Sequence, residues 1–222
     1  MFQDREEAGR LLAKRLSAYR NDPTGLILAL PRGGVAVGYT LSLALGLPLD
    51  VFITRKLGAP DNPEFALGAV AETGSIHLNR DAIEAYMIPV EYVEQARRAL
   101  QEEIVRRQVL YRGGRPLPDL TARTVLLVDD GIATGATFLA SAEALRQLHV
   151  KRLVAGIPVA PPDTIRLVGK TVDEVVVLET PDAFFAVGNH YADFRQVDDA
   201  TVVRYLKEAA AALRGRDKPA RG

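Results

Sequence analysis

Residues 125–137 read Val125-Leu126-Leu127-Val128-Asp129-Asp130-Gly131-Ile132-Ala133-Thr134-Gly135-Ala136-Thr137. The leading apolar run fits a strand buried on both faces, as in a parallel sheet. Two adjacent carboxylates end it. Small residues then lead into Ala136–Leu148, where Leu139, Ala142, Leu145 and Leu148 recur at helical spacing. A loop between a buried strand and a helix N-terminus offers unpaired amides and the positive end of the helix dipole, which together cradle an anion. Thr134 and Thr137 add hydroxyl donors, and Gly135 lets the backbone come close because no Cβ intervenes. The two acids would repel a phosphate, so they must face another part of the ligand. A sugar phosphate meets both demands, with its hydroxyls on the carboxylates and its phosphate on the amides.

The same alternation extends on both sides. Asp4 and Glu7 form a capping pair for a first helix bearing Ala8, Leu11, Leu12 and Leu16. Leu26–Leu30 reads as a buried strand, Pro31-Arg32-Gly33-Gly34 as a turn, Val35–Leu45 as a helix and Leu49–Thr54 as a second strand, which is a βαβ unit. Arg55 to Phe65 reads as a loop, and Leu67–Ala71 with Ser75–Leu78 as a hairpin about Glu72-Thr73-Gly74. Pro89 to Tyr111 predicts a long helix with Val93, Ala96, Leu100 and Ile104 inward and the pairs Glu94–Arg98, Glu102–Arg106 and Glu103–Arg107 outward. After a Gly/Pro linker and the 125–137 segment come strands Arg152–Ile157 and Glu174–Leu178 around a short helix, Asp163–Val168. Glu179 to Asp198 is irregular, Asp199–Leu213 is a terminal helix and Gly215–Gly222 is expected to be a frayed tail. The expected fold class is α/β, a doubly wound parallel sheet in one domain over 1–222. Its core spans about 24–178, a small hood and the last helix 179–214, and ligands belong at the strands' carboxyl ends.

Composition narrows the function classes. The chain has 222 residues, 48% hydrophobic and 25% charged, with 28 basic and 28 acidic side chains and no cysteine. Balanced charge gives no global field for nucleic acid or an anionic membrane, so neither is expected as a partner. The missing cysteines exclude disulfides, thiol nucleophiles and cysteine-based zinc sites. No apolar run reaches the roughly 18 residues of a spanning helix, and a cytoplasmic protein is expected. His77, His149 and His190 lack metal-ligand spacing.

The 125–137 segment resembles, at nearly every position, the phosphoribosyl-pyrophosphate (PRPP) signature of type I phosphoribosyltransferases. The resemblance implies that Asp129 and Asp130 bind the ribose 2′- and 3′-hydroxyls, directly or through Mg²⁺, and that Ala133, Thr134, Gly135, Ala136 and Thr137 wrap the 5′-phosphate. Gly131 departs from the branched apolar residue usual there, which is expected to loosen the turn. Ala133 stands where 6-oxopurine enzymes place an acid, which argues against hypoxanthine and guanine as acceptors. Pro31-Arg32-Gly33-Gly34 corresponds to the pyrophosphate loop, often built on a cis peptide, so Arg32, Gly33 and Gly34 are expected there. Arg55 and Lys56, read as ending the second strand on the same edge, would help neutralise pyrophosphate. Leu57 to Phe65 falls where relatives carry a flexible lid, with Glu64 and Glu72 as candidate acids. Ile157–Pro161 and Ala183–Gly188 fall where relatives build a hood; Phe184 or Phe185 would stack on a planar base, or else pack in the core.

The implied activity is Mg²⁺-dependent transfer of 5-phosphoribosyl from PRPP to a small nitrogen-base acceptor, by a homodimer. Two other readings stay open. A sensor on the same fold would bind PRPP or a nucleotide without turnover, and a receiver-like domain would use Asp129 or Asp130 as phospho-acceptor.

Overall fold

The structure, a computed structural model, describes residues 1–63 and 65–216. Glu64 and residues 217–222 of the expected tail lie outside the described residues. In chain order the elements are α1 (Arg5–Arg15), β1 (Gly25–Ala29), α2 (Gly33–Leu45), β2 (Leu49–Val51), β3 (Thr54–Gly58), β4 (Ala66–Ala71) and β5 (Ile76–Leu78). There follow α3 (Arg80–Ala85), α4 (Val90–Arg112), β6 (Thr124–Val128), α5 (Ala136–Arg146), β7 (Arg152–Val159), α6 (Pro162–Val168), β8 (Glu174–Glu179) and α7 (Asp199–Arg216). A five-stranded parallel sheet runs β2-β1-β6-β7-β8, and a three-stranded antiparallel sheet runs β3-β4-β5.

The period-2 alternation of strand side chains divides the main core into two layers. Leu26, Leu28, Val125, Leu127 and Leu153 point to one face, where Phe138, Ala142 and Leu145 of α5 and Val168 of α6 cover them. Ile27, Leu126, Val128 and Val154 point to the other, under Leu12 and Leu16 and under Leu41 and Leu45 of α2. That is the doubly wound α/β arrangement. Asp4 caps α1 by accepting from the Glu7 amide at 2.7 Å, and Gly46 closes α2 in the left-handed region at φ 69°.

The second strand is the main departure from expectation. It ends at Val51, and Arg55 and Lys56 lie instead on β3, in the small sheet. Where the chain leaves the parallel sheet, the Ile53 amide donates to Glu72 Oε1 at 2.8 Å and the Glu72 amide donates to the Ile53 carbonyl at 2.8 Å, which tie it to the β4–β5 turn. Part of the expected 55–65 loop is therefore strand. Asn79 caps α3, a helix that the sequence pattern does not announce, by accepting from the Ala82 amide. On α4 the ion pairs rearrange. Glu94 holds Arg97, and Glu103 holds both Arg106 and Arg107; of the expected pairs only Glu103–Arg107 forms among the described residues. Helix α7 continues through Gly215 to Arg216, where the tail was expected to begin.

Candidate active site

Strands β1 and β6 are neighbours in register, and the Leu30 amide donates to the Val128 carbonyl at 2.9 Å just past their ends. The loops 30–34 and 129–137 therefore leave the sheet side by side. The second loop is held from outside: the Ile132 amide donates to the Val159 carbonyl (3.0 Å) and the Thr164 hydroxyl to the Ala133 carbonyl (2.6 Å). Gly135 turns at φ 78°, and a Cβ there would stand 2.8 Å from Thr164 Cγ2, so the position is closed to other residues on both counts. Beyond it α5 starts without a side-chain cap. The first amide taken up is that of Leu139, by the Gly135 carbonyl at 2.8 Å; among the described residues the amides from Ala133 to Phe138 have no partner. They face a cavity of about 140 Å³ whose lining includes Lys56, Asp129, Thr134, Gly135 and Thr137.

The two acids diverge. Asp129 lines this cavity and the one beside it. Its Oδ1 accepts the Asp130 amide at 2.9 Å, and burial together with the adjacent Asp130 carboxylate pushes its carboxyl well above the ordinary range. Asp130 lines neither cavity. Its Oδ2 accepts from Arg5 Nε at 2.7 Å, and its carbonyl accepts from the Tyr191 hydroxyl at 2.5 Å. Burial raises its carboxyl despite the Arg5 guanidinium. A Cβ on Gly33 would fall 1.9 Å from Asp130 Oδ2, so the absent side chain at Gly33 is what lets α2 begin against the acid.

The second cavity, about 460 Å³, is lined by Pro31, Thr54, Arg55, Lys56, Asp129 and Thr137 among others. The Pro31–Arg32 peptide is cis. Of the residues expected on pyrophosphate, Arg55 and Lys56 line this space and Arg32, Gly33 and Gly34 do not. Arg32 leans 3.9 Å from Asp199 Oδ1, and Asp199 is held by the Tyr111 hydroxyl at 2.6 Å. Arg55 Nε is buried without a hydrogen-bond partner among the described residues, and burial with the nearby Arg107 lowers its pKa.

Glu72, a candidate lid acid from sequence, is a brace. Its side chain is 1% exposed and accepts from Arg112 Nη2 at 2.6 Å, while Arg112 Nε reaches Asp50 at 3.1 Å. The trio ties β2, the β4–β5 turn and α4 together. Phe184 stacks on His190 with centroids 5.3 Å apart and packs against a small cluster of Phe2, Ala8, Val159 and Tyr191. Phe185 is 88% exposed, and neither ring lines the two cavities. At Gly131 an ideal Cβ would fall 2.5 Å from Val187 Cγ1 and 3.0 Å from Val159 Cγ1, so the missing side chain lets the hood approach the loop closely. Sequence reasoning missed Arg5, Thr164 and Tyr191. Each lies far along the chain from the acid motif, and no local pattern marks them.

A strand-end acid, an uncapped helix start with unpaired amides and a neighbouring cationic strand meet at one cleft of a doubly wound sheet. The family model for the phosphoribosyl transferase domain matches residues 3–193, and the chain belongs to that family. Among relatives, it is 41% identical over 209 residues to "Putative phosphoribosyl transferase Rv0571c" of Mycobacterium tuberculosis, covering 94% of this chain and 47% of that protein. The chain thus spans about half the length of this curated relative. Among solved structures it is similar to TT1426 from Thermus thermophilus, with a TM-score of 0.78, 40% identity and coverage of 93% of this chain and 98% of that one. Among the described residues no helix is long and apolar enough to cross a membrane.

Proposed function

We propose that this chain transfers the 5-phosphoribosyl group from PRPP to a nitrogen acceptor, releasing pyrophosphate. The observation that carries the reading is the row of unpartnered amides from Ala133 to Phe138 opening beside the cleft-facing carboxylate of Asp129. The amides, with the Thr134 and Thr137 hydroxyls, hold the 5′-phosphate at the positive end of α5. Asp129 takes the vicinal hydroxyls of the ribose and lies near the positive charge that develops on the sugar as the leaving group departs. Arg55 and Lys56, in the adjoining cavity, hold the pyrophosphate as its negative charge grows. On this reading most of the rate would come from positioning and charge stabilisation.

Among the described residues no three acids or histidines cluster as a metal site. A Mg²⁺ ion fits the site as one that enters with its ligand, since Mg²⁺ is commonly held by one or two carboxylates plus substrate phosphates and water. Among the described residues lining the two cavities, Asp129 is the carboxylate available. Bound there, the ion would offset the charge on the departing pyrophosphate. The acceptor is proposed to be a planar nitrogen base entering under the hood. Ala133 brings no acid to it, so the site offers no general acid at that position.

The test is to incubate the protein with PRPP, Mg²⁺ and a panel of bases and to assay pyrophosphate. Acceptor-dependent release, lost in Asp129→Asn, is expected. PRPP binding with no release across the whole panel would replace the transferase with a sensor.

A further inference from the structure

The two acids that end β6 are adjacent in sequence, yet they sit in opposite surroundings. Asp129 has one oxygen on the Asp130 amide, and its side chain borders both cavities of the cleft. Asp130 is turned toward α1. Arg5, itself buried, donates Nε to Asp130 Oδ2 at 2.7 Å and Nη1 to the Arg195 carbonyl at 2.9 Å. The Phe194 ring covers its guanidinium, 3.8 Å from centroid to carbon. The Tyr191 hydroxyl fixes the Asp130 carbonyl, and the α2 N-terminus at Gly33 closes over the carboxylate. For Asp130 to swing toward a ligand, it would have to leave a buried guanidinium unpaired, which is strongly unfavourable.

We infer that the pair divides its work: Asp129 alone meets the ligand's vicinal hydroxyls, while Asp130 is committed to Arg5, a positioning residue that anchors the turn. The inference rests on the sugar-phosphate reading of the cleft. It makes helix α1 and the 191–195 segment, rather than the ligand, the partners of the second acid.

Calorimetry with ribose 5-phosphate, 2-deoxyribose 5-phosphate and inorganic phosphate separates these roles. Wild type should prefer ribose 5-phosphate over the 2-deoxy sugar by about tenfold, the worth of one hydrogen bond to a charged group. Asp129→Asn should bring that ratio close to one while inorganic phosphate binds as before. The double variant Arg5→Gln with Asp130→Asn, which exchanges the ion pair for an amide pair of like shape, should keep the ratio. If the double variant melts cooperatively yet loses the ratio as fully as Asp129→Asn, Asp130 touches the ligand and the inference is overturned. Should the double variant not fold, Arg5→Lys takes its place: a kept ratio supports the division, and a lost ratio in the folded protein overturns it. Wild type that binds inorganic phosphate but shows no ribose preference overturns the division of labour, and wild type that binds no phosphate overturns the sugar-phosphate reading as well.

Discussion

On the proposed function, the two sides of the cleft would hold anions by different means. On the β6–α5 side the donors are backbone amides, fixed by Gly135, by the Thr164 hydroxyl and by the hydrogen bond from Ile132 to the end of β7. On the β3 side the donors are the long cationic side chains of Arg55 and Lys56, carried by a three-stranded sheet. The first side has little to lose on binding, since its donors are already ordered. The second works through long side chains, whose full immobilisation costs up to about 1.5–2 kcal/mol of rotamer entropy each, and Arg55 has its Nε buried from the outset. On that reading an amide cradle would give selectivity for shape, and a cationic strand would give charge for the leaving group.

Breaking the support of the cationic side should have the largest effect. Glu72→Gln removes the buried partner of Arg112, at 1% and 2% exposure, and leaves a guanidinium short of a charge. A loss of about 3–5 kcal/mol is expected, read as a fall in melting temperature, with inorganic phosphate still bound below the transition. If phosphate binding is lost while the protein is folded, the two sides are not separable. Gly135→Ala comes next. It places a Cβ in the left-handed region and against Thr164 Cγ2, costing about 1–2 kcal/mol from backbone conformation alone. Phosphate affinity should drop more than pyrophosphate affinity, as calorimetry would show. Lys56→Ala should do the reverse, weakening pyrophosphate several-fold and flattening its salt dependence, because charges in contact with solvent are screened over about 10 Å at 0.1 M.

The smallest effect sharpens the comparison from outside the cleft. The hydrogen bonds from Arg106 and Arg107 hold the Glu103 carboxyl down at about 2. A depressed carboxyl contributes stability that is present above its ordinary pKa, near 4.5, and is lost as pH falls toward the depressed value. Melting temperatures of Glu103→Gln and wild type should converge over that window and differ slightly at neutral pH. A constant difference across the window would detach Glu103 from the acid transition.

The contrast between the sides also explains what the sequence revealed. The amide side is legible because its demands fall on consecutive residues: apolar strand, acids, small loop, helix start. The doubly wound sheet follows from the same alternation of short apolar runs with helical periods. The cationic side is not local. Arg55 and Lys56 were visible as residues, but the strand they ride on follows a contact of the Ile53 amide with Glu72, 19 positions away. The same holds for Arg5, whose partner Asp130 is 125 positions away. A buried ion pair of that span leaves no periodic trace. Phe184 shows the other difficulty: an aromatic among Ala and Val has the same composition whether it stacks on a base or, as here, on His190 beside a small core.

The hydrogen bond from Leu30 to Val128 carries one further consequence. The cis-peptide loop and the acid-bearing loop hang from adjacent strands, whose spacing in any sheet is about 4.8 Å. The roots of the two loops are thus held one unit of sheet geometry apart, beyond the reach of any rotamer change. Sequence drift in either loop can change its side chains without moving the point where it leaves the sheet.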